Sequence, residues 1–332
     1  MDEYIGKIAK HDITNSNGTV LVPAKTKITE EHVHLLRNHV VDPSLIPFIT
    51  GDDQEFRRSM KRTVDTSKEL FHSIESSRKV PLLEIRQKIL PFVQQAAAYS
   101  NVFQLFESVK ATDEYTYQHN IAVGIISTLI GRWMSLTESD ISILSLAATL
   151  HDVGKVKIPV EILNKPGKLS NDEYALVKKH TVYGYELLKE TIGLNPRIPL
   201  AALQHHERND GKGYPFGLKE DKIHLFSKIV AVADIFHAMS SKRPYHHPLS
   251  FHEIVIQMRK GIFGELDPNI VTVFLDNIMR KIVGERVVLT DGRVGDVVYL
   301  NPHHLESPLI KTGDEFIDLS KRNDLHIKEI HI

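Results

Sequence analysis

Between about residues 111 and 284, the hydrophobic and polar positions read as a run of helices punctuated by capping signals. Thr137-Glu138-Ser139-Asp140 predicts the start of a helix that ends near Gly154. Ser170-Asn171-Asp172-Glu173 opens another that reaches about Lys189, and Ser250-Phe251-His252-Glu253 is a third start of the same kind. Asp267-Pro268 sets a cap and a first-turn proline before the apolar spacing Ile270, Val273, Phe274, Ile278. This part is an all-α body. Ahead of it the chain is helical, strongly charged and interrupted near Pro81 and Pro91. The first 50 residues mix a β-like run at Gly18–Pro23, with Asn17-Gly18 as a turn signal, and a helix over Glu30–His39 capped by Thr29. After Glu285 the period changes, and Val287–Leu289, Val297–Leu300 and Phe316–Leu319 predict strands, with Asp291-Gly292 as a hairpin turn. The expected organisation is a small α/β module at 1–50, a helical connector at 51–100, a helical domain at 101–284 and a β-rich extension at 285–332. The fold class is mainly α.

Composition narrows the chemistry. Apolar residues make up 42% and charged residues 25% of the 332, an ordinary globular balance rather than a disordered one. Lys and Arg total 41 against 42 Asp and Glu, which argues against a broad electrostatic nucleic-acid binder. There is no Cys, so a disulfide framework, a thiolate zinc site, an iron–sulfur cluster and a Cys nucleophile are all excluded. There are 19 His, and any transition metal must be held by imidazole and carboxylate. Met1–Lys10 has no apolar signal core. No stretch reaches the ~18 uninterrupted apolar residues of a membrane helix. The nearest candidate, Ile141–Leu150, contains Ser142 and Ser145. The expectation is a cytoplasmic protein without membrane insertion.

The helical body carries His119, His151-Asp152, His180, His205-His206 and Asp234, each on a predicted helix or at its end. Imidazole and carboxylate donors suit Fe, Mn, Zn or Co. Seven such groups exceed the needs of one ion, which points to two ions sharing a carboxylate and to phosphoester chemistry. Each group also has a plainer reading. His180 alone reads as a helix-surface residue. His205 and His206 point about 100° apart on a helix and read equally well as a surface pair. Asp234 is more pointed, because it interrupts the apolar run Ile229–Phe236, and a buried carboxylate needs a partner or a metal. His151-Asp152 follows the apolar Leu144–Leu150 and is hard to read as a solvated face.

His151-Asp152-Val153-Gly154-Lys155 resembles the HDxGK signature of the HD phosphohydrolase superfamily. His205 to Pro215, HHERNDGKGYP, resembles the longer HHExxDGxGYP signature of its HD-GYP subfamily. Asp113, Tyr115, Thr116 and His119 upstream, and Val232-Ala233-Asp234 downstream, follow in the matching order. The resemblance covers about residues 100–285 and leaves the N-terminal module out. It implies an HD-type helical bundle and a metal-dependent phosphodiesterase that opens cyclic di-GMP to pGpG, in some members onward to GMP, through a hydroxide bridging two metal ions, Fe or Mn. His119, His151, Asp152 and Asp234 would hold one ion, and Asp152 would bridge to a second held by His180, His205 and His206. Lys155 and Arg243 would contact substrate phosphate. Gly213-Tyr214-Pro215 would flank the pocket and offer a surface to a protein partner. A homodimer is compatible with this reading; a nucleic-acid polymer is not among the implied partners.

Three departures accompany the match. Three-metal members carry a Glu four residues before the first ligand His; here Tyr115 stands there and Glu114 is one residue off, so two metals are expected. Asn120 follows His119 where Ser is usual. His237 replaces a common Asp three residues after Asp234, on the same side of the helix, where it reads either as a group supporting the site or as a rim histidine. Two alternatives keep the resemblance but change the role. One is a catalytically weak cyclic-dinucleotide sensor or scaffold working through the Gly213-Tyr214-Pro215 loop. The other is a phosphohydrolase for another nucleotide.

Overall fold

The structure is a computed structural model and describes residues 5–6, 9, 13–14, 20–23, 26–38, 53–98, 102–110, 115–241, 248–261, 264–301, 304–322 and 324–331. The chain divides into two units, one of Met1–Arg62 with Ala98–Asn101 and one of Thr63–Ala97 with Val102–Ile332. In the first, β1 (Ile13–Thr14) pairs antiparallel with β2 (Val20–Val22), and α1 (Glu30–Asn38) follows. Thr29 opens α1 as expected, its hydroxyl accepting the His32 N–H. Ala9, Ile13, Val22, Ile28, Val33 and Leu36 form the core of this unit. The expected turn at Asn17-Gly18 lies outside the described residues.

The unit boundary falls within α2 (Asp53–Ser77). In the second unit come α3 (Leu82–Lys88), α4 (Leu90–Ala96), α5 (Val102–Val109), α6 (Tyr115–Trp133) and α7 (Glu138–Thr149). Pro81 stands just before α3 and Pro91 in the first turn of α4, the two places where a helix tolerates proline. Helix α6 is buried on every face from Asn120 to Ile130, the mark of a central helix. It packs on α7 at close range. A Cβ on Gly124 would lie 2.6 Å from Thr149 Oγ1, and the Thr128 and Ser145 hydroxyls meet at 2.7 Å. One hydroxyl donates to the other and the second to a carbonyl of its own helix, Gly124 O or Ile141 O, so burial leaves neither unsatisfied.

Helix α7 is capped by Thr137 as expected, but it stops at Thr149 rather than near Gly154. The chain turns through His151 and Asp152 into a 3-10 helix, Val153–Lys157. Then come α8 (Val160–Leu163), α9 (Asn171–Lys178), α10 (His180–Lys189), α11 (Arg197–Gln204), α12 (Leu225–Ser240), α13 (Phe251–Gly261) and α14 (Pro268–Lys281). The single helix expected from Ser170 to about Lys189 is two, broken at Lys179. There the last turn tightens to a Lys179 N–H bond with Leu176 O, and the Val177 carbonyl is taken by the His180 ring.

The extension is a five-stranded antiparallel sheet in the order β6-β5-β4-β3-β7, from β3 (Arg286–Leu289), β4 (Val294–Asn301), β5 (His304–Thr312), β6 (Glu315–Asp318) and β7 (Ile327–His331). Gly292 takes φ +88° in the β3–β4 hairpin. Strands β5 and β7 add to the three segments expected from sequence, and α13 packs against both. The architecture is thus mainly α, a helical bundle with a small α/β module and a β extension. Among the described residues, no helix is long and apolar enough to cross a membrane.

Candidate metal centre

Five segments converge on one point of the second unit. His119 comes from α6, His151 and Asp152 from the turn after α7, His180 from the first turn of α10, His205 and His206 from the end of α11, and Asp234 from α12. The close approach has a backbone cause. A Cβ on Gly154 would lie 1.9 Å from His180 O and 2.4 Å from Gly184 N, so only glycine lets the 3-10 turn reach α10. Gln204 ties α11 to α12, its Oε1 accepting the His224 N–H and the Ser227 hydroxyl.

The seven side chains form two groups that could each hold an ion: His119, His151 and Asp234, and Asp152, His180, His205 and His206. Within each group the ligand atoms lie within 4.8 Å of one another. Asp152 joins the groups. Its Oδ2 is 3.4 Å from His151 Nε2 and 3.8 Å from His119 Nε2, while its Oδ1 is 3.3 Å from His180 Nε2 and 3.7 Å from His205 Nε2. Asp234 Oδ1 is 3.1 Å from His119 Nε2, and its Oδ2 is 3.9 Å from His206 Nδ1. The Lys155 ammonium donates to Asp152 Oδ2.

Ring orientation is set from behind. Nδ1 of His151 donates to Ala148 O at 2.7 Å, that of His180 to Val177 O at 2.7 Å, and that of His205 to Ala202 O at 2.9 Å. A carbonyl only accepts, so these contacts place the proton on Nδ1 and leave Nε2 bare toward Asp152 in the neutral ring. His151 Nε2 and Asp152 Oδ1 are buried without a hydrogen-bond partner. Each such group costs about 1–3 kcal/mol if left so, and a cation on either side of Asp152 would satisfy these lone pairs. The donor set fits a divalent transition metal.

Electrostatics agree with that fit. Burial opposes the charge on Asp152, but the Lys155 ammonium and the His151 ring hold its carboxyl well below the usual carboxylate range. Asp234 is held down in the same way by His119, again against burial. Burial pushes His119 down, His206 well down and His180 to about 3. Ionised carboxylates therefore face neutral rings at His119, His180 and His206, the protonation state that binds metal, while the Asp152 carboxylate outweighs burial at His151 and raises its pKa.

Beyond these seven, Tyr214 lies beside His206, ring centroids 4.7 Å apart and tilted by 30°, and Lys178 Nζ is 5.9 Å from the Tyr214 ring. The Gly213-Tyr214-Pro215 segment therefore borders the centre. A Cβ on Gly213 would fall 2.4 Å from Arg208 N and 2.5 Å from His206 O, which accounts for glycine there. His237 is fully buried, with Nδ1 2.9 Å from His119 Nδ1, so it is not a rim histidine. Asp113, Glu114 and Arg243 lie outside the described residues, as does the Tyr115 side chain; the metal-count and Arg243 expectations rest on these. Sequence reasoning gave no separate role to Glu207. Its buried carboxylate accepts the N–H groups of Phe216 and Leu218, each at 2.8 Å, and so holds the loop that carries Tyr214. The signal was an acidic residue directly after two ligand-type histidines.

The sequence profile of the HD domain matches residues 103–270. The chain is 36% identical over 203 residues to the cyclic di-GMP phosphodiesterase PA4108 of Pseudomonas aeruginosa, which covers 61% of this chain and 49% of that protein. It is 31% identical over 229 residues to the 3'3'-cGAMP-specific phosphodiesterase 1 of Vibrio cholerae, covering 67% of this chain and 53% of that protein. Among solved structures, Bd1817, a HDG"Y"P protein from Bdellovibrio bacteriovorus, shares the fold with a TM-score of 0.52 at 16% identity, over 82% of this chain and 95% of that one. The chain spans about half the length of the curated relatives it matches. With the profile match running from α5 into α14 across half of its residues, this chain belongs to the HD domain family, in its HD-GYP branch.

Proposed function

We propose that the chain is a metal-dependent phosphodiesterase that opens cyclic di-GMP to linear pGpG with two divalent ions. The observation that supports it best is Asp152, whose two oxygens face different histidine pairs across 3.3–3.8 Å. His119, His151, Asp152 and Asp234 would hold one ion, and Asp152, His180, His205 and His206 the other. Nitrogen and oxygen donors without thiolate suit Fe or Mn. When bound, such ions supply Lewis acidity toward the phosphodiester and lower the pKa of water.

The remaining work belongs to the chain. Lys155 keeps a 23% exposed side chain beside Asp152 and offers its ammonium to a non-bridging phosphate oxygen. Tyr214, tilted against His206 with Lys178 near its ring, offers an aromatic wall for a purine, and burial keeps its hydroxyl protonated. Residues 101–284 are the catalytic domain in this reading, acting in cytoplasmic cyclic-dinucleotide signalling, and the end modules are accessory.

The test is elemental analysis of the purified chain together with product chromatography, with Mn or Fe added under reducing conditions. Two ions per chain and formation of pGpG are expected. Less than one ion and no pGpG would reject the reading. Asp152→Ala is expected to lose metal and turnover together, and full turnover in that variant would remove the bridging role. A second reading keeps the site and changes the substrate. The relative named for 3'3'-cGAMP supports adding that dinucleotide to the assay, where the ratio of kcat/KM values separates the two.

A further inference from the structure

The rings of His151, His180 and His205 are each held from behind by a backbone carbonyl. At His119 that position is taken by a second imidazole, His237, with the two Nδ1 atoms 2.9 Å apart. His237 sits on α12, three residues beyond Asp234, and none of it is exposed. Its Nε2 lies 3.0 Å from the carbonyl oxygen of Val109, at the end of α5, and 3.1 Å from Ser241 Oγ.

These contacts fix the direction of the chain of hydrogen bonds. The Val109 carbonyl only accepts, so the proton of His237 is on Nε2. In a neutral imidazole the other nitrogen is then an acceptor. His237 Nδ1 therefore accepts, and His119 Nδ1 donates. With an ion in place, His119 Nε2 would turn its lone pair to it beside Asp234 Oδ1, 3.1 Å away, and Asp152 Oδ2, 3.8 Å away.

We propose that His237 is a positioning residue that, anchored on Val109, holds His119 in the tautomer and ring orientation that ligate metal. The inference rests on the metal-site reading above. It assigns to a neutral ring the role that a carboxylate fills when it orients a ligating histidine. It also ties the metal centre to α5, a helix that contributes none of the seven clustered side chains.

Two variants of the full chain separate this role from packing. The amide oxygen of Asn falls near the Nδ1 position of histidine, whereas the amide of Gln falls near Nε2. His237→Asn keeps an acceptor for His119. His237→Gln keeps the partner of Val109 and withdraws that acceptor. Affinity for Mn(II) is read by elemental analysis after dialysis in chelator-buffered metal. We expect His237→Asn to bind within about threefold of the parent, and His237→Gln to weaken one of two ions by about 10–100-fold. Long-range nitrogen–proton spectra of histidine-labelled, metal-free parent chain give a readout that needs no variant. There His119 is expected as the Nδ1–H tautomer. Equal effects of Asn and Gln, both silent or both damaging, overturn the relay, as does an Nε2–H His119 in the parent. A parent chain that binds no metal rejects the metal-site reading instead, and its His119 tautomer still decides the relay.

Discussion

Gly154 shows how much of the centre depends on an absent methyl group. The 3-10 turn carrying it lies so close to α10 that a Cβ would meet His180 O at 1.9 Å and Gly184 N at 2.4 Å, both backbone atoms that cannot swing aside. Gly154→Ala is therefore expected to cost about 3 kcal/mol, at the upper end of ordinary overpacking, and to weaken metal binding by moving His180 away from Asp152. Denaturant midpoints and metal titration check the two effects separately. Residues of this kind divide sharply in what the sequence discloses. His151-Asp152 and Asp234 were legible because polar groups stand where the pattern demands apolar ones. His237 was legible only as one of two readings, a supporting group or a rim histidine, because its partner Val109 lies 128 positions away in the chain.

At the scale of elements, capping chemistry was the readable part. Ser170 and Glu173 make the full reciprocal box, with Glu173 N–H donating to Ser170 Oγ at 3.2 Å and Ser170 N–H to Glu173 Oε2 at 2.7 Å. Ser170→Ala is expected to cost about 1 kcal/mol and to show as faster amide exchange in the first turn of α9, with α10 unchanged. The confinement to α9 follows from the break at Lys179. That break was hidden because Lys179 carries no Gly or Pro signal; the Val177 carbonyl at the end of α9 is taken by the His180 ring. The early stop of α7 is capped in the same way, with the His151 ring on the Ala148 carbonyl. Strands β5 and β7 escaped the periodicity reading because Pro308 interrupts one and the other, Ile327–His331, is short and half polar.

Across the whole molecule, the seven clustered side chains come from five segments between residues 119 and 234, so a bound ion links most of the helical body. An ion that binds only the folded chain stabilises it by about 4 kcal/mol when its free concentration is a thousandfold above Kd. Chelation is accordingly expected to lower Tm by several degrees, and Mn added back should restore it. A Tm indifferent to chelator, in a chain verified to hold metal beforehand, would contradict this. The mainly α class and the β extension were legible because each has its own hydrophobic period. The convergence of the five segments was legible only through the order of the motifs, since no local pattern brings residue 119 beside residue 234.

Ion size meets a graded resistance in this centre. The side chains of His119, His151, Asp152, His180 and His205 are at most 3% exposed, and Gly154 sets the backbone beneath His180. His206 and Asp234 keep 27% and 12% of their side chains open. A larger or smaller cation is therefore expected to be accommodated on the His206–Asp234 side rather than against the buried wall. On the proposed reading, exchanging one metal for another is expected to move those two side chains more than the other five.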